Sequence, residues 1–298
     1  MSLKIIETIE IPNAAGSSFD HGAFDRKSRR IFVAHTGRDC VEVIDHDTRR
    51  HVATLPGFPE AAGVVADDGI VLVTNRRAAS LARVDAISLE TQAVFKTGPK
   101  PNGVAIAAPQ RLAIAASIGD ASQGPKLHAL ALDGGQQNSI DLPGAPRWCV
   151  TDAAFTRVFL AIREPSMVLV ARLPDLKEVK HWRLSPGGAH GLDIDHERGR
   201  LYVACDDATL VEVNIASGET SNEWPLAGGP DVTFFNPTTG IVHVAIGKPG
   251  LVQSIDPRTG ASVATMTGAG AHTTALVVPD RLYVFSPSHG GALGFAGA

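Results

Sequence analysis

The chain has 298 residues, of which 44% are hydrophobic and 19% are charged, so it can bury a large core and is not expected to be disordered. Its formal net charge of −4 gives no overall attraction to nucleic acid or to an anionic membrane. The three widely spaced cysteines (Cys40, Cys149 and Cys205) argue against a disulfide framework or a structural zinc site. With no recognisable signal peptide and no apolar window long enough to span a membrane, we expect a cytoplasmic protein that binds neither membrane nor nucleic acid.

In chain order, the first predicted element is the alternating segment KIIETIEI (residues 4–11), which is typical of a strand. One pattern then repeats to the end of the chain: an apolar run, a polar turn, a second apolar run, an alternating segment and a more polar segment. The repeats begin near residues 20, 62, 102, 147, 190, 231 and 272. The alternation, the β-branched residues and the Asp/Asn/Gly turns predict four strands for each repeat.

Seven units of about 42 residues predict an all-β fold, a seven-bladed β-propeller with four-stranded antiparallel blades. The last unit ends at GALGFAGA and lacks a fourth strand, whereas residues 4–11 belong to no unit. We therefore expect the N-terminal strand to complete the seventh blade and close the ring. Residues 1–298 would then form a single domain.

The second apolar runs share a tetrapeptide, found as FVAH (32–35), LVTN (72–75), YVAC (202–205) and YVFS (283–286). With these degraded motifs the whole chain resembles the YVTN-repeat β-propeller family. The resemblance implies the architecture. Proteins built this way include binding modules, some DNA-binding proteins, and relatives of propeller lactonases and lyases. No motif of a propeller enzyme matches this chain residue by residue, so the resemblance implies no catalytic residues.

In a propeller, the loop that enters the innermost strand and the loop that leaves the second strand open on the same face, where ligands usually bind. The residues aligned at the entrance to the innermost strands are Asp20, Ala62, Asn102, Arg147, His190, Asp231 and His272, with His21 as the alternative to Asp20. The second strands end at His35 and Thr36, Asn75 and Arg76, Ser117, Arg163 and Glu164, Asp206 and Asp207, and Ser288 and His289. Six of the seven entrance positions are polar and chemically diverse, which predicts a concave site at the channel mouth.

We assign three groups of residues to this predicted site. The catalytic candidates are His190, His272 and Arg147, because imidazoles titrate near neutrality and a guanidinium holds a carboxylate. The substrate-binding candidates are Asn102, Arg163, Asn75, Trp148, His35 and His289. If one divalent metal ion is bound, its predicted ligands are His21, Asp20, Asp231, His190 and His272.

Two functions fit this pattern. The first is a hydrolase or lyase, lactonase-like, that acts on a small anionic molecule with help from a metal ion or from a His/Arg pair. The second is a non-catalytic scaffold that binds a ligand or a protein partner. Polar residues are also expected at the rim of any water-filled channel, and Asp and Asn commonly cap loop amides, so the pattern leaves both functions open.

Overall fold

The computed structural model describes residues 3–135, 137–177 and 179–298. Within these ranges the chain forms 28 strands in seven four-stranded antiparallel sheets. The first three blades in chain order contain β2 (Gly22–Asp25), β3 (Arg30–His35), β4 (Cys40–Asp45) and β5 (Arg50–Pro56); β6 (Ala61–Asp67), β7 (Ile70–Asn75), β8 (Ser80–Asp85) and β9 (Thr91–Lys96); and β10 (Pro101–Ala107), β11 (Leu112–Ser117), β12 (Lys126–Ala131) and β13 (Gln137–Asp141).

The remaining four blades repeat this order. They contain β14 (Pro146–Thr151), β15 (Arg157–Ile162), β16 (Met167–Arg172) and β17 (Lys180–Arg183); β18 (Ala189–Asp195), β19 (Arg200–Cys205), β20 (Thr209–Asn214) and β21 (Thr220–Pro225); β22 (Thr233–Asn236), β23 (Ile241–Ile246), β24 (Leu251–Ile255) and β25 (Ser262–Met266); and β26 (Thr273–Val277), β27 (Arg281–Ser286), β28 (Gly291–Ala296) and β1 (Lys4–Glu10).

The innermost strand of each blade packs on the innermost strand of the next, and β26 packs on β2. The seven sheets therefore form a closed ring, a seven-bladed β-propeller. The seventh blade is completed by β1, which pairs antiparallel with β28 so that Lys4 lies opposite Ala296 and Glu10 lies opposite Gly291. The structure thus confirms the predicted number of blades and the closure of the ring by the N-terminal strand.

The core lies between the blades and has a simple basis in the repeat. The third residue of every second strand is buried. These residues are Phe32, Leu72, Ile114, Phe159, Tyr202, His243 and Tyr283. Because side chains alternate along a strand, the same register in every blade places a large side chain in each of the seven interfaces between blades. Among the described residues, no helix has the length and the apolar character needed to cross a membrane.

Candidate functional site at the channel mouth

The channel mouth is formed where the innermost strands begin, and β-bulges shape it. In blades 2 to 5 the register between the first two strands shifts near the start of the innermost strand. In blade 5, for example, Ala189 and Gly191 have partners on β19, whereas His190 between them has none. A bulge leaves an extra residue unpaired and redirects its side chain. It thus places Asn102, Arg147 and His190 at the mouth without interrupting the strands behind them.

Glycines bring neighbouring mouth residues close together. A Cβ atom at Gly103 would overlap the carbonyl oxygen of Arg147, and one at Gly191 would overlap the carbonyl oxygen of Asp231. In both places, the glycine of one blade follows its mouth residue and receives the backbone of the mouth residue of the next blade. Any other residue type would push these blades apart, so the sequences NG and HG at these positions have a direct structural reason.

The first half of the mouth is organised by Asp20. His21 Nδ1 donates to Asp20 Oδ1 at 2.6 Å, and Arg76 Nη2 donates to Asp20 Oδ2 at 2.8 Å and also to Asn102 Oδ1. Burial opposes ionisation of Asp20, but the hydrogen bond from His21 and the charges of His21, Arg76 and His272 outweigh it and lower its pKa. Asp20 is therefore an anion, and its partner Arg76 connects it to Asn102, so that blades 1, 2 and 3 are linked.

The second half of the mouth is organised by Asp206, at the end of the second strand of blade 5. Its Oδ1 lies 2.7 Å from His190 Nδ1, and its Oδ2 accepts a hydrogen bond from Arg163 Nε at 2.5 Å. Burial raises the pKa of Asp206, but the bonds and charges of His190 and Arg163 lower it by more. Because an ionised carboxylate only accepts hydrogen bonds, His190 Nδ1 carries the proton of this bond.

Asp231 connects two histidines of different blades. Its Oδ2 lies 2.6 Å from His272 Nδ1, and its Oδ1 lies 3.6 Å from His190 Nε2. The hydrogen bond to Asp231 raises the pKa of His272 despite burial, and the charge of Asp20 acts in the same direction. The side chains of His190 and His272 are 18% and 31% exposed, so both remain accessible from the channel.

Arg147 differs from the other two arginines of the mouth. Arg76 and Arg163 are ion-paired, whereas Arg147 has no hydrogen-bond or ion-pair partner anywhere in the described ranges, and its Nε is buried. The pKa of Arg147 is lowered, because burial and the nearby charge of Arg163 outweigh the opposite effect of Asp206 and Asp231. Within the described ranges, Arg147 is therefore a half-buried cation at the mouth, and its terminal N–H donors are available to a ligand.

Beneath these residues, two rings stack across the channel. The imidazole of His21 lies on the indole of Trp148 with centroids 3.7 Å apart and planes inclined by 4°. The two residues come from blades 1 and 4, on opposite sides of the ring. The pair therefore spans the channel and forms a floor under the polar mouth.

The glycine pair before His190 also has a structural reason. Gly188 has φ +76°, and the Cβ of Asp206 lies where its own side chain would be. The N–H of Gly187 donates to Asp207 Oδ2 at 2.7 Å. The glycines thus let the loop before β18 close over the end of β19, which holds Asp206 beside His190.

The structure brings most of the predicted site residues together at the channel mouth. These are Asp20, His21, Asn102, Arg147, Trp148, Arg163, His190, Asp231 and His272.

Three other candidates lie elsewhere. His35 is fully buried, with Nδ1 2.7 Å from Glu42 Oε1 and Nε2 2.8 Å from Ser17 Oγ. Asn75 is buried against Ser80, and His289 lies exposed in the turn Pro287–His289 with Nδ1 on Ser286. These three do not line the mouth.

Arg76 and Asp206 are mouth residues that the site assignment from sequence left out. Both stand at the ends of second strands, which was the available signal. Their importance comes from contacts across blades, with Asp20 and Asn102 for Arg76 and with His190 and Arg163 for Asp206. A repeat alignment shows which residues share a position, but not which of them pair.

A group with metal-binding proximity lies in blade 1. One ligand atom each from His35, Cys40 and Glu42 lies within 4.8 Å of the others, close enough to hold a metal ion. However, Glu42 Oε1 already accepts from His35 and from the Cys40 thiol, and burial raises the pKa of Cys40 to about 12. The three side chains thus form a hydrogen-bonded cluster whose ligand atoms are also close enough to hold a metal ion.

Comparison with known proteins supports the fold and leaves the function open. No protein-family model matches this chain, and no curated protein sequence matches it. Solved structures do match. A hydrazine synthase from Kuenenia stuttgartiensis has a TM-score of 0.82 and 11% identity over 95% of this chain and 96% of its own. A streptogramin B lyase has a TM-score of 0.82 and 9% identity over 97% and 96%. At such identities the likeness shows the propeller fold alone.

Proposed function

We propose that this protein is a hydrolase or lyase that binds a small organic anion at the channel mouth and breaks a C–O bond in it by acid–base catalysis. The observation that carries the proposal is the unpaired Arg147 beside the connected side chains of His190, Asp231 and His272. A free cation supplies binding, and two accessible imidazoles held by carboxylates supply proton transfer.

The charge balance of the mouth favours an anion. The carboxylates of Asp20, Asp206 and Asp231 are each paired with an imidazole or a guanidinium. Arg147 adds a positive charge that no carboxylate neutralises by direct contact in the described structure. A carboxylate of the ligand would accept two parallel hydrogen bonds from the guanidinium of Arg147.

The two histidines suit opposite proton transfers. His190 donates from Nδ1 to Asp206, so its Nε2 can remove a proton from water or from a carbon next to a carbonyl group. His272 has a raised pKa and can donate a proton to the leaving oxygen. Hydrolysis and elimination both need this pair, and both end with the proton on the departing oxygen.

A non-catalytic anion-binding scaffold is the second candidate. It is favoured by the extent to which the mouth residues pair with one another, since Arg76 and Arg163 both hold carboxylates of this chain. In that case the histidines would only orient Asp206 and Asp231. A scaffold would bind anions through Arg147 and convert none of them.

Turnover separates the two candidates. Wild type would be incubated with a panel of lactones and acyl esters that carry a carboxylate, with proton release and product mass as readouts. We expect Arg147→Gln to raise KM, and His190→Gln and His272→Gln to lower kcat by about 100-fold or more. His181→Gln and Arg183→Gln, on the exposed outer strand β17, are the matched controls. If these changes at the mouth leave turnover unaltered, the active site lies elsewhere.

Elemental analysis of the same preparations tests the predicted divalent ion. An ion held by Asp20, His21, His190, Asp231 and His272 would be lost in His190→Gln and would be removed with activity by a chelator. If wild type is active without bound metal, the metal-assisted mechanism is excluded and the His/Arg mechanism is retained.

A further inference from the structure

The channel contains a second compartment below the stacked rings of His21 and Trp148. It is a cavity of about 340 Å³ lined by residues from all seven innermost strands, including Trp148. Asp67 and His196, near the turns at the far end of the innermost strands, also line it. The cavity therefore opens on the face opposite to the mouth.

At one level of the channel, six blades line this cavity with an apolar side chain. Three or four residues beyond the mouth position, each of these strands turns a half-buried apolar side chain to the channel. The six are Phe24, Val65, Ile106, Val150, Phe234 and Leu276. In blade 5 the corresponding residue is Asp193. The volume and the apolar wall are those of a site for a small molecule.

The backbone compensates the Asp193 carboxylate only in part. Oδ1 accepts the N–H of Ile194 at 2.8 Å, and Oδ2 accepts the N–H of Phe235 at 2.7 Å. Burial raises the pKa of Asp193 to about 7 in spite of these two bonds. Each oxygen can accept a further hydrogen bond, because a carboxylate accepts about four.

We propose that this cavity binds a small apolar amine, with its hydrocarbon part among the apolar side chains and its ammonium group on the Asp193 carboxylate. A cation would complete the neutralisation of a carboxylate that the surrounding wall leaves uncompensated. Phe234, in the blade next to Asp193, adds an aromatic side chain to the wall, and aromatic rings attract ammonium groups. This site is separate from the mouth and does not depend on the function proposed for it.

Other titratable groups surround Asp193. Asp67, Cys149 and His196 line the cavity, and Asp195, Glu197, Arg198 and Arg258 line the adjoining groove between blades 5 and 6. Burial raises the pKa of Cys149 and lowers that of His196, so neither carries charge near neutrality. Asp67 is exposed at the rim. Asp193 is thus the carboxylate placed to meet a ligand inside the apolar wall.

Calorimetric titration with benzylamine, and with benzyl alcohol as its uncharged match, tests this site. We expect wild type to prefer benzylamine, and to bind it more tightly as the pH rises from about 6 to about 8 and Asp193 loses its proton. Asp193→Asn should weaken benzylamine binding by about tenfold or more, with little effect on benzyl alcohol. Val150→Phe should abolish binding of both by filling the cavity.

Asp67→Asn is the matched control and should bind benzylamine as wild type does. Should Asp193→Asn fail to fold, the comparison of the two probes and the pH dependence in wild type decide the question. Equal affinity for the two probes, no binding of benzylamine, or a loss of binding in Asp67→Asn alone would overturn the proposal. Asp193 would then only join blades 5 and 6 through Phe235.

Discussion

The blade 1 cluster around Glu42 and the channel mouth both combine histidine with carboxylate, and they differ in how their polar atoms are satisfied. In blade 1, Glu42 accepts from His35 and the Cys40 thiol on one oxygen and from His51 and Thr54 on the other. That cluster is drawn almost entirely from one blade. The mouth cluster is assembled from all seven blades and surrounds an open channel.

The difference shows what separates a structural cluster from a candidate site. Around Glu42, each carboxylate oxygen accepts two hydrogen bonds, and His35 is fully buried. At the mouth, His190 and His272 remain accessible, and Arg147 has no partner in the described part of the chain. Residue type alone does not distinguish the two regions, whereas unused hydrogen-bonding capacity does.

The largest expected effect is the loss of stability in Glu42→Ala. Burial opposes ionisation of Glu42, but four hydrogen bonds outweigh it and lower its pKa to about 2. Removing the carboxylate leaves buried donors without a partner, at a cost of about 3–5 kcal/mol in the free energy of unfolding. Denaturant unfolding measures this, with Glu223→Ala on the exposed strand β21 as control. If Glu42→Ala loses no more unfolding free energy than the control, the blade 1 cluster does not stabilise the fold.

A smaller effect of opposite sign is expected for Arg147→Gln. The substitution removes a half-buried charge that has no direct partner, so the free energy of unfolding should stay the same or rise by up to about 1 kcal/mol. Thermal unfolding of the variant and of Arg183→Gln gives the comparison. A clear loss of stability in Arg147→Gln would mean that the guanidinium supports the fold rather than a ligand.

The smallest effect is a pH dependence from His272. Its pKa is raised in the folded protein, so its pairing with Asp231 contributes stability below the unfolded pKa of about 6.5. This contribution is lost as the pH rises through the folded pKa. The stability difference between wild type and His272→Gln should therefore be largest at mildly acidic pH and shrink towards alkaline pH. A difference that grows with rising pH would contradict the assigned charge state.

Much of the fold followed from the sequence because the repeat is periodic. One buried position per second strand, such as Phe32 or Tyr202, identifies the register of a whole blade, and the orphan segment at residues 4–11 indicates how the ring closes. Position along the repeat also identified the entrance residues of the mouth, such as Asn102, Arg147 and His190. Regular alternation was enough for these predictions.

Contacts that break this regularity were not predictable. The bulge at His190 shifts the side-chain alternation, so that Asp193, three residues later, faces the same channel as His190. His35 ends its strand next to the mouth, but its ring turns into the blade because Glu42 and Ser17 hold it there. A strand-end position does not specify a direction, and only the packed structure decides it.

Calorimetric titration with small carboxylates tests most directly whether the mouth binds anions. Malonate, succinate and benzoate would be titrated into wild type, Arg147→Gln and the control Arg183→Gln. We predict that wild type and Arg183→Gln bind at least one of these anions, and that Arg147→Gln binds it about tenfold more weakly or worse. If Arg147→Gln matches wild type for every anion, including no binding by either, the channel mouth is not the anion site that its geometry indicates.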